Sequence, residues 1–309
     1  MARYVLARLF QGIVALFVAS ILVFGLGRLT GNPVWLMVGE EAGLEDIEKL
    51  TAYLGLDKPL PEQYWLFISH AVRGDFGNSI RYRSPVIDFI LTCAPATLKL
   101  TGLSMLISIL IAVPAGVLGA VKRNRWPDTV GKVFAMLGQS MPTFWLGIVL
   151  IELFAVQFGL LPAGGTGMGD FKYWILPAFT LGFHSTAGAL RFTRSAMLEV
   201  LNTDYVRLAR IKGLRERLVI WKHALRNALI PVVTFYAMLF ARKLMGTVVV
   251  ETVFGWPGLG RLAYQSVMYR DFPMMQGLIL VFVGIFLVVN LMIDILYCYL
   301  DPRIRYVKE

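Results

Sequence analysis

Long apolar runs constrain this chain more than any other feature. Leu9 to Leu29 is predominantly apolar and long enough to cross a bilayer core, which takes about 20 helical residues. Similar runs recur at Ala96–Val121, Val133–Phe158, Tyr173–Leu190, Leu229–Val250 and Met274–Leu300. Of the 309 residues 57% are hydrophobic and 16% charged, where a soluble domain carries about 25% charged residues. The expectation is an all-α integral membrane protein with six transmembrane helices. Pro114, Gly116 and Pro142 interrupt these runs, which suits spans that line a water-filled path, because the freed backbone groups must find partners.

A net charge of +10 would point to nucleic acid in a soluble chain. Here Lys122, Arg123, Arg125 and Lys132, then Arg191 and Arg194, crowd into short loops beside apolar runs. That is the positive-inside pattern. It argues against nucleic-acid binding and puts both termini and the basic loops in the cytoplasm. A cleaved signal peptide is the other reading of the first run. The run is longer than a usual signal core, however, and no small-x-small site follows it. Cys93 and Cys298 fall at opposite faces in this topology and form no disulfide framework.

Residues 30–95 change character. Glu40, Glu41, Glu45, Asp46 and Glu48 open an acidic segment that suits the external side. Leu44–Leu54 and Glu62–Val72 have the pattern of short amphipathic helices, with Trp65, Phe67 and Ile68 placed to rest at the interface. This segment reads as a folded external cap or as a landing surface for a partner.

The stretch from Met197 to Pro231 is strongly basic. Met197, Leu198, Leu201, Tyr205, Leu208 and Ile211 recur at steps of three or four, one face of a helix. Gly213 stands where a helix can end in a left-handed turn. A second short helix is expected over Leu218–Leu229. An apolar ridge with basic flanks between two spans fits the groove of a soluble partner. It equally fits a helix lying on anionic lipid.

No catalytic set is present. The sequence has no Gly-x-x-x-x-Gly-Lys-Ser/Thr phosphate loop, no His-Glu-x-x-His helix and no Gly-x-Ser-x-Gly turn. Gly167-Met168-Gly169-Asp170 echoes intramembrane aspartyl proteases, but it sits in a polar loop with no second carboxylate placed beside it. His70, His184 and His223 lack ligand spacing, so no metal site is expected. Ionisable residues inside spans are costly and usually face a protein interior or a cavity. The candidates are Glu152, His184, Arg242, Lys243 and Asp294. Glu152 and Arg242 lie about 10 and about 12 Å below the outer ends of their spans at 1.5 Å per residue. That shared depth predicts that Glu152 pairs with Arg242 or Lys243 beside the pathway. His184 reads as a hydrogen-bonded packing residue.

Motifs along nearly the whole chain carry a family resemblance. Asp204-Tyr205-x-Arg207-x-Ala209-Arg210-x-Lys212-Gly213 and Lys222-His223-Ala224-Leu225-Arg226-Asn227-Ala228-Leu229-Ile230-Pro231 resemble the cytoplasmic Glu-Ala-Ala loop of ABC importer permeases, in its peptide and nickel variant. Arg207-Leu208-Ala209 stands where the wider class has Glu-Ala-Ala. Gly74-Asp75-Phe76-Gly77-x-Ser79, Ser140-Met141-Pro142, Trp256-Pro257-Gly258-Leu259-Gly260-Arg261, Arg270-Asp271-Phe272-Pro273 and Asp301-Pro302-Arg303-Ile304-Arg305 extend the match.

The resemblance implies a type I importer permease, a non-catalytic transport subunit in the bacterial inner membrane. It implies one permease domain over 1–309, with a first span at 9–29, an external segment at 30–95 and a five-span core at 96–300. The coupling loop is 195–228. The helix holding Asp204, Tyr205, Arg207, Leu208, Ala209, Arg210, Lys212 and Gly213 would dock on an ATPase. Implied partners are a homologous second permease, two ABC ATPase subunits that bind ATP and magnesium, and an extracytoplasmic substrate-binding protein. Glu152, His184, Arg242 and Lys243 are candidates for the pathway. Small peptides are the expected substrate. Nickel or a nickel chelate, glutathione and opine-like solutes are alternatives, and a proton-coupled carrier or a membrane enzyme is the alternative of another class.

Overall fold

A computed structural model describes residues 2–29, 43, 51, 52, 56–165 and 170–300. The amphipathic helix expected over Leu44–Leu54, the run Gly167-Met168-Gly169 and the Asp301–Arg305 motif fall wholly or mainly outside these residues. The described residues are mainly helical. Helices α1 (Ala2–Leu29), α2 (Leu60–Ala71) and α3 (Val86–Val121) come first. Then follow α4 (Trp126–Ser140) and α5 (Thr143–Leu150), which continues as a π-helical stretch, Ile151–Gln157. Next come α6 (Lys172–Leu201), α7 (Asp204–Ile211) and α8 (Leu225–Val253). The last are α9 (Leu259–Met268) and α10 (Phe272–Leu300).

Among the described residues, four helical stretches are long and apolar enough to cross a membrane: Leu6–Gly25, Val86–Val121, Glu216–Leu244 and Phe272–Ile295. The number becomes 5 if α4 and α5 with its extension form one broken span. The span expected over Val133–Phe158, interrupted at Pro142, is sharply bent: the axis turns by 104° between α4 and α5. Pro142 is the cause. It cannot donate to the helix ladder and it drives Met141 into extended backbone (φ −81, ψ 126). Helix α6, expected to hold the fourth span, is not among the apolar stretches. Thr180, Ser185 and Thr186 are buried along it and return their hydroxyls to Leu176 and Gly182 carbonyls of their own helix. A helix enclosed by protein need not be apolar all round.

The chain divides into two compact units, residues 1–96 with 258–291 and residues 97–257 with 292–309. In the first, Val86, Ile90, Leu259, Leu262, Met274 and Leu278 make the core. Asp271 knots it together. Its carboxylate accepts from the Ser79 hydroxyl and from the backbone N–H of Ile80 (3.2 Å), Arg81 (3.4 Å) and Met274 (3.3 Å). The Arg81 guanidinium lies 3.2 Å from the Tyr269 ring centroid. On α1, the Ser20 hydroxyl meets that of Tyr64 at 2.8 Å.

In the second unit, Ala112, Val117, Ala189, Met197, Val206, Ala224 and Val232 anchor one core. Helices α4 and α6 touch closely at Gly138, where a Cβ would stand 2.5 Å from that of Ala187. Trp256, 1% exposed, meets Trp174 edge-on with centroids 4.6 Å apart. The Gly165 N–H closes on the Phe254 carbonyl at 2.9 Å.

Candidate coupling surface and membrane-interior polar seam

Helix α6 stops at Leu201. Asn202 caps it by donating to the Leu198 carbonyl at 3.0 Å, and Thr203 swings to extended backbone (φ −77, ψ 153). Helix α7 then starts afresh at Asp204. The stripe from Met197 to Ile211 is therefore not one helix face. Met197 is buried in the core. Tyr205, Leu208 and Ile211 point outward, at 40, 55 and 81% exposure. Val206 and Ala209, on the opposite face of α7, pack into the core. The inner face fixes the helix, and the outer face is left as a bare apolar ridge.

The ridge is fastened at its C-terminal end. Lys212 ends the helix with φ −71 and ψ 3, and Gly213 takes the left-handed conformation (φ 73) that a side chain resists. Arg210 donates twice to Glu216, at 3.2 and 2.8 Å, which raises the Arg210 pKa further and keeps the pair charged. Arg207 reaches only to 3.8 Å from Asp204, with both side chains in solvent, so this pair contributes little. Tyr205 accepts from the Asn227 amide at 2.8 Å. The second short helix expected over Leu218–Leu229 does not stand apart. Glu216–Leu218 and a π turn, Val219–Ala224, run straight into α8.

Below the loop, Asp128 is almost fully buried, at 1% exposure. It accepts from Arg194 Nε (2.5 Å) and Nη2 (3.0 Å), from Lys132 Nζ (2.9 Å) and from the Asn124 N–H (2.9 Å). This clamp ties the start of α4 to α6 about two turns before α6 ends. Sequence reasoning did not single out Asp128; its i,i+4 relation to Lys132 was the available signal.

Polar residues also line up where α3 faces α8. Thr97, Thr101, Ser104 and Ser108, spaced at four, three and four, are all buried. Opposite them stand Glu251, Lys243 and Tyr236. Thr97 donates to Glu251 at 2.7 Å, Lys243 donates to Ser104 at 2.8 Å, and the Tyr236 hydroxyl donates to the Ser108 carbonyl at 3.1 Å. The helical spacing of the α3 hydroxyls was the signal that could have found this seam.

The expected pairing of Glu152 with Arg242 or Lys243 is not formed. Glu152 is exposed and accepts from Gln157 at 3.3 Å within the π-helical stretch. Arg242 is exposed, while Lys243 is 7% exposed and turned to Ser104. Equal depth does not fix the direction in which a side chain points. His184 Nδ1 lies 3.1 Å from the Gly138 carbonyl, the hydrogen bond expected, while the residue itself is exposed. Asp294 is half-buried.

The family model described as "Binding-protein-dependent transport system inner membrane component" matches residues 112–306. A second, "Binding-prot-dependent transport system membrane comp, N-term", matches residues 1–101. The glutathione transport system permease protein GsiC of Escherichia coli (strain K12) is 46% identical over 307 residues, 99% of this chain and all of that protein. Among solved structures, the MetNI methionine ABC transporter in an inward-facing conformation superposes with a TM-score of 0.57 at 19% identity, covering 69% of this chain and 96% of that one. An amino acid ABC transporter crystallised with histidines gives a TM-score of 0.55 at 19% identity, covering 69% and 94%. Both are likenesses of fold.

Proposed function

The chain belongs to the family of binding-protein-dependent transport system inner membrane components and is a non-catalytic, multi-pass permease subunit of an ABC importer; we propose that it forms half of a pathway for a small peptide of the glutathione class. The substrate reading rests on the 46% identity to a permease named for glutathione transport. Six spans with both termini cytoplasmic are part of this reading, the bent pair and α6 completing the count. A homologous permease supplies the other half, an extracytoplasmic binding protein delivers the substrate, and two ATPase subunits hold ATP and magnesium.

One observation carries the coupling part: Tyr205, Leu208 and Ile211 form an exposed apolar ridge on a helix whose other face is fixed in the core. Such a ridge fits a groove on a soluble motor. Closure of the ATPase pair moves the groove, and α7 carries the movement through Val206 and Ala209 into the spans. In this reading Asp204, Arg207, Arg210 and Lys212 frame the contact, and Gly213 sets its end. Lys243 is the pathway candidate with the best support, because an ionisable side chain buried inside a span is costly and is usually kept for function. The roles of Glu152, His184 and Arg242 rest on their placement within the expected spans alone.

The test is uptake into proteoliposomes that hold the assembled importer, with its binding protein outside and ATP within. Labelled glutathione and a panel of short peptides are expected to accumulate only with ATP. Uptake of nickel in place of every peptide would replace the substrate reading. Uptake without ATP would overturn the whole of it.

A further inference from the structure

An open cavity of about 670 Å³ lies at the root of α7, where the π turn passes into α8. The polar residues of its lining are Tyr205, Lys222, His223, Arg226 and Asn227. The apolar residues of its lining are Leu229, Ile230 and Val233, one to two turns further along the same helical stretch. Neither Lys222 nor Arg226 has a carboxylate partner among the described residues. Tyr205 already accepts from Asn227, so its own proton is free to be donated into the cavity. The charged end falls near the start of the Glu216–Leu244 stretch, and the apolar end runs into it. Trp221, 45% exposed, stands beside Lys222, the residue type that settles at headgroup level.

We propose that this cavity holds one anionic phospholipid. The headgroup phosphate sits among Lys222, Arg226 and Tyr205, and the upper acyl chain lies along Leu229, Ile230 and Val233. Two unpaired cations and a hydroxyl donor match a phosphodiester. The change from charged to apolar lining along a single helix matches the two parts of a lipid, which a free phosphate or nucleotide lacks. Basic pockets between spans at the loop side of a membrane take such headgroups. Because Tyr205 belongs to α7, the lipid touches the same helix as the proposed ATPase contact. The site itself does not depend on that contact or on the transported solute.

The experiment uses the full importer in nanodiscs of phosphatidylcholine with a minor share of phosphatidylglycerol, followed by native mass spectrometry of the lipids retained. One phosphatidylglycerol per chain is expected to survive. Lys222→Ala with Arg226→Ala should weaken its retention roughly 30-fold, from two basic residues near a charged headgroup. Lys122→Ala with Arg123→Ala removes equal charge from another loop and should leave it unchanged. Equal weakening by both pairs would mean diffuse attraction and would overturn the site. So would equal retention of phosphatidylcholine, or displacement by inorganic phosphate. A photoactivatable phosphatidylglycerol keeps the test independent of variant folding: its cross-links in the unaltered protein should map to Tyr205 or to Leu229–Val233, and mapping elsewhere would refute the assignment.

Discussion

Arg194 grips Asp128 through two hydrogen bonds, Nε to Oδ1 at 2.5 Å and Nη2 to Oδ2 at 3.0 Å, with the Asp128 side chain fully shielded from solvent. A bidentate guanidinium fixes both distance and angle between the helices that carry it. Here those helices are α4 and α6, and Arg194 lies about two turns ahead of the end of α6. Any movement of α7 would therefore meet a joint that resists rotation of α6 against α4.

Arg194→Met leaves the Asp128 carboxylate buried with only Lys132 and a backbone donor. Stripping one partner from a buried pair costs about 3–5 kcal/mol. Thermal unfolding of the purified importer should show a clearly lowered midpoint. The double variant Arg194→Met with Asp128→Leu should recover much of the loss, because no uncompensated charge remains. A double variant as unstable as the single one would mean the joint acts by shape rather than by charge.

The outward ridge and the inward anchor of α7 separate function from folding. Leu208→Asp changes a side chain 55% exposed and should leave the chain folded and inserted, yet abolish co-purification of ATPase subunits. Val206→Asp places a carboxylate at a fully buried core position and should lower the yield of folded chain before any coupling is measured. Gly213→Ala meets no steric obstacle within 4 Å but must hold φ at +73°. It should cost about 1–2 kcal/mol through the backbone alone. Retention of ATPase by Leu208→Asp would remove the ridge from the interface.

The sequence made the first and last spans legible, since unbroken apolarity marks α1 and α10 whatever surrounds them. It also made legible that the 204–213 segment presents an apolar ridge beside basic residues. Which residues share that ridge was less visible. A period of three to four runs straight through Asn202-Thr203, where the chain leaves one helix and begins another, so Met197 was grouped with Tyr205 although one is buried and the other bare. The bend at Pro142 was hidden for a related reason: proline marks a break without stating its angle. Asp128 and Arg194 are distant in sequence, and nothing local in either announces the other. Glu152 was matched to Arg242 by depth, but a helix also has an azimuth, and the π-helical stretch turns Glu152 toward Gln157.

Close contact between α4 and α6 leaves no room at residue 138. A Cβ there would stand 2.5 Å from Ala187 and 3.5 Å from Phe183. Gly138→Ala should therefore force the helices apart and cost about 1–3 kcal/mol, in the range of overpacked cores. The His184 contact to the Gly138 carbonyl should loosen with it. Combining it with Ala187→Gly, which vacates the same space, should restore the unfolding midpoint. Failure of that rescue would place the strain elsewhere in α4.

Lys243 offers the sharpest separation of stability from transport. Its ammonium donates to Ser104 deep between α3 and α8, with no carboxylate bonded to it among the described residues. Methionine fills similar volume without a charge. Replacing a buried ionic group by a fitting apolar one is commonly neutral or stabilising by about 1–4 kcal/mol, so Lys243→Met should unfold at the same temperature or higher. An ionisable group kept inside a membrane at such expense points to work done there. Uptake of an anionic peptide should fall in the same variant, with the ATPase still bound and its hydrolysis no longer raised by loaded binding protein. If uptake and stimulation both persist in Lys243→Met, the seam is a packing device and Lys243 takes no part in the passage of substrate.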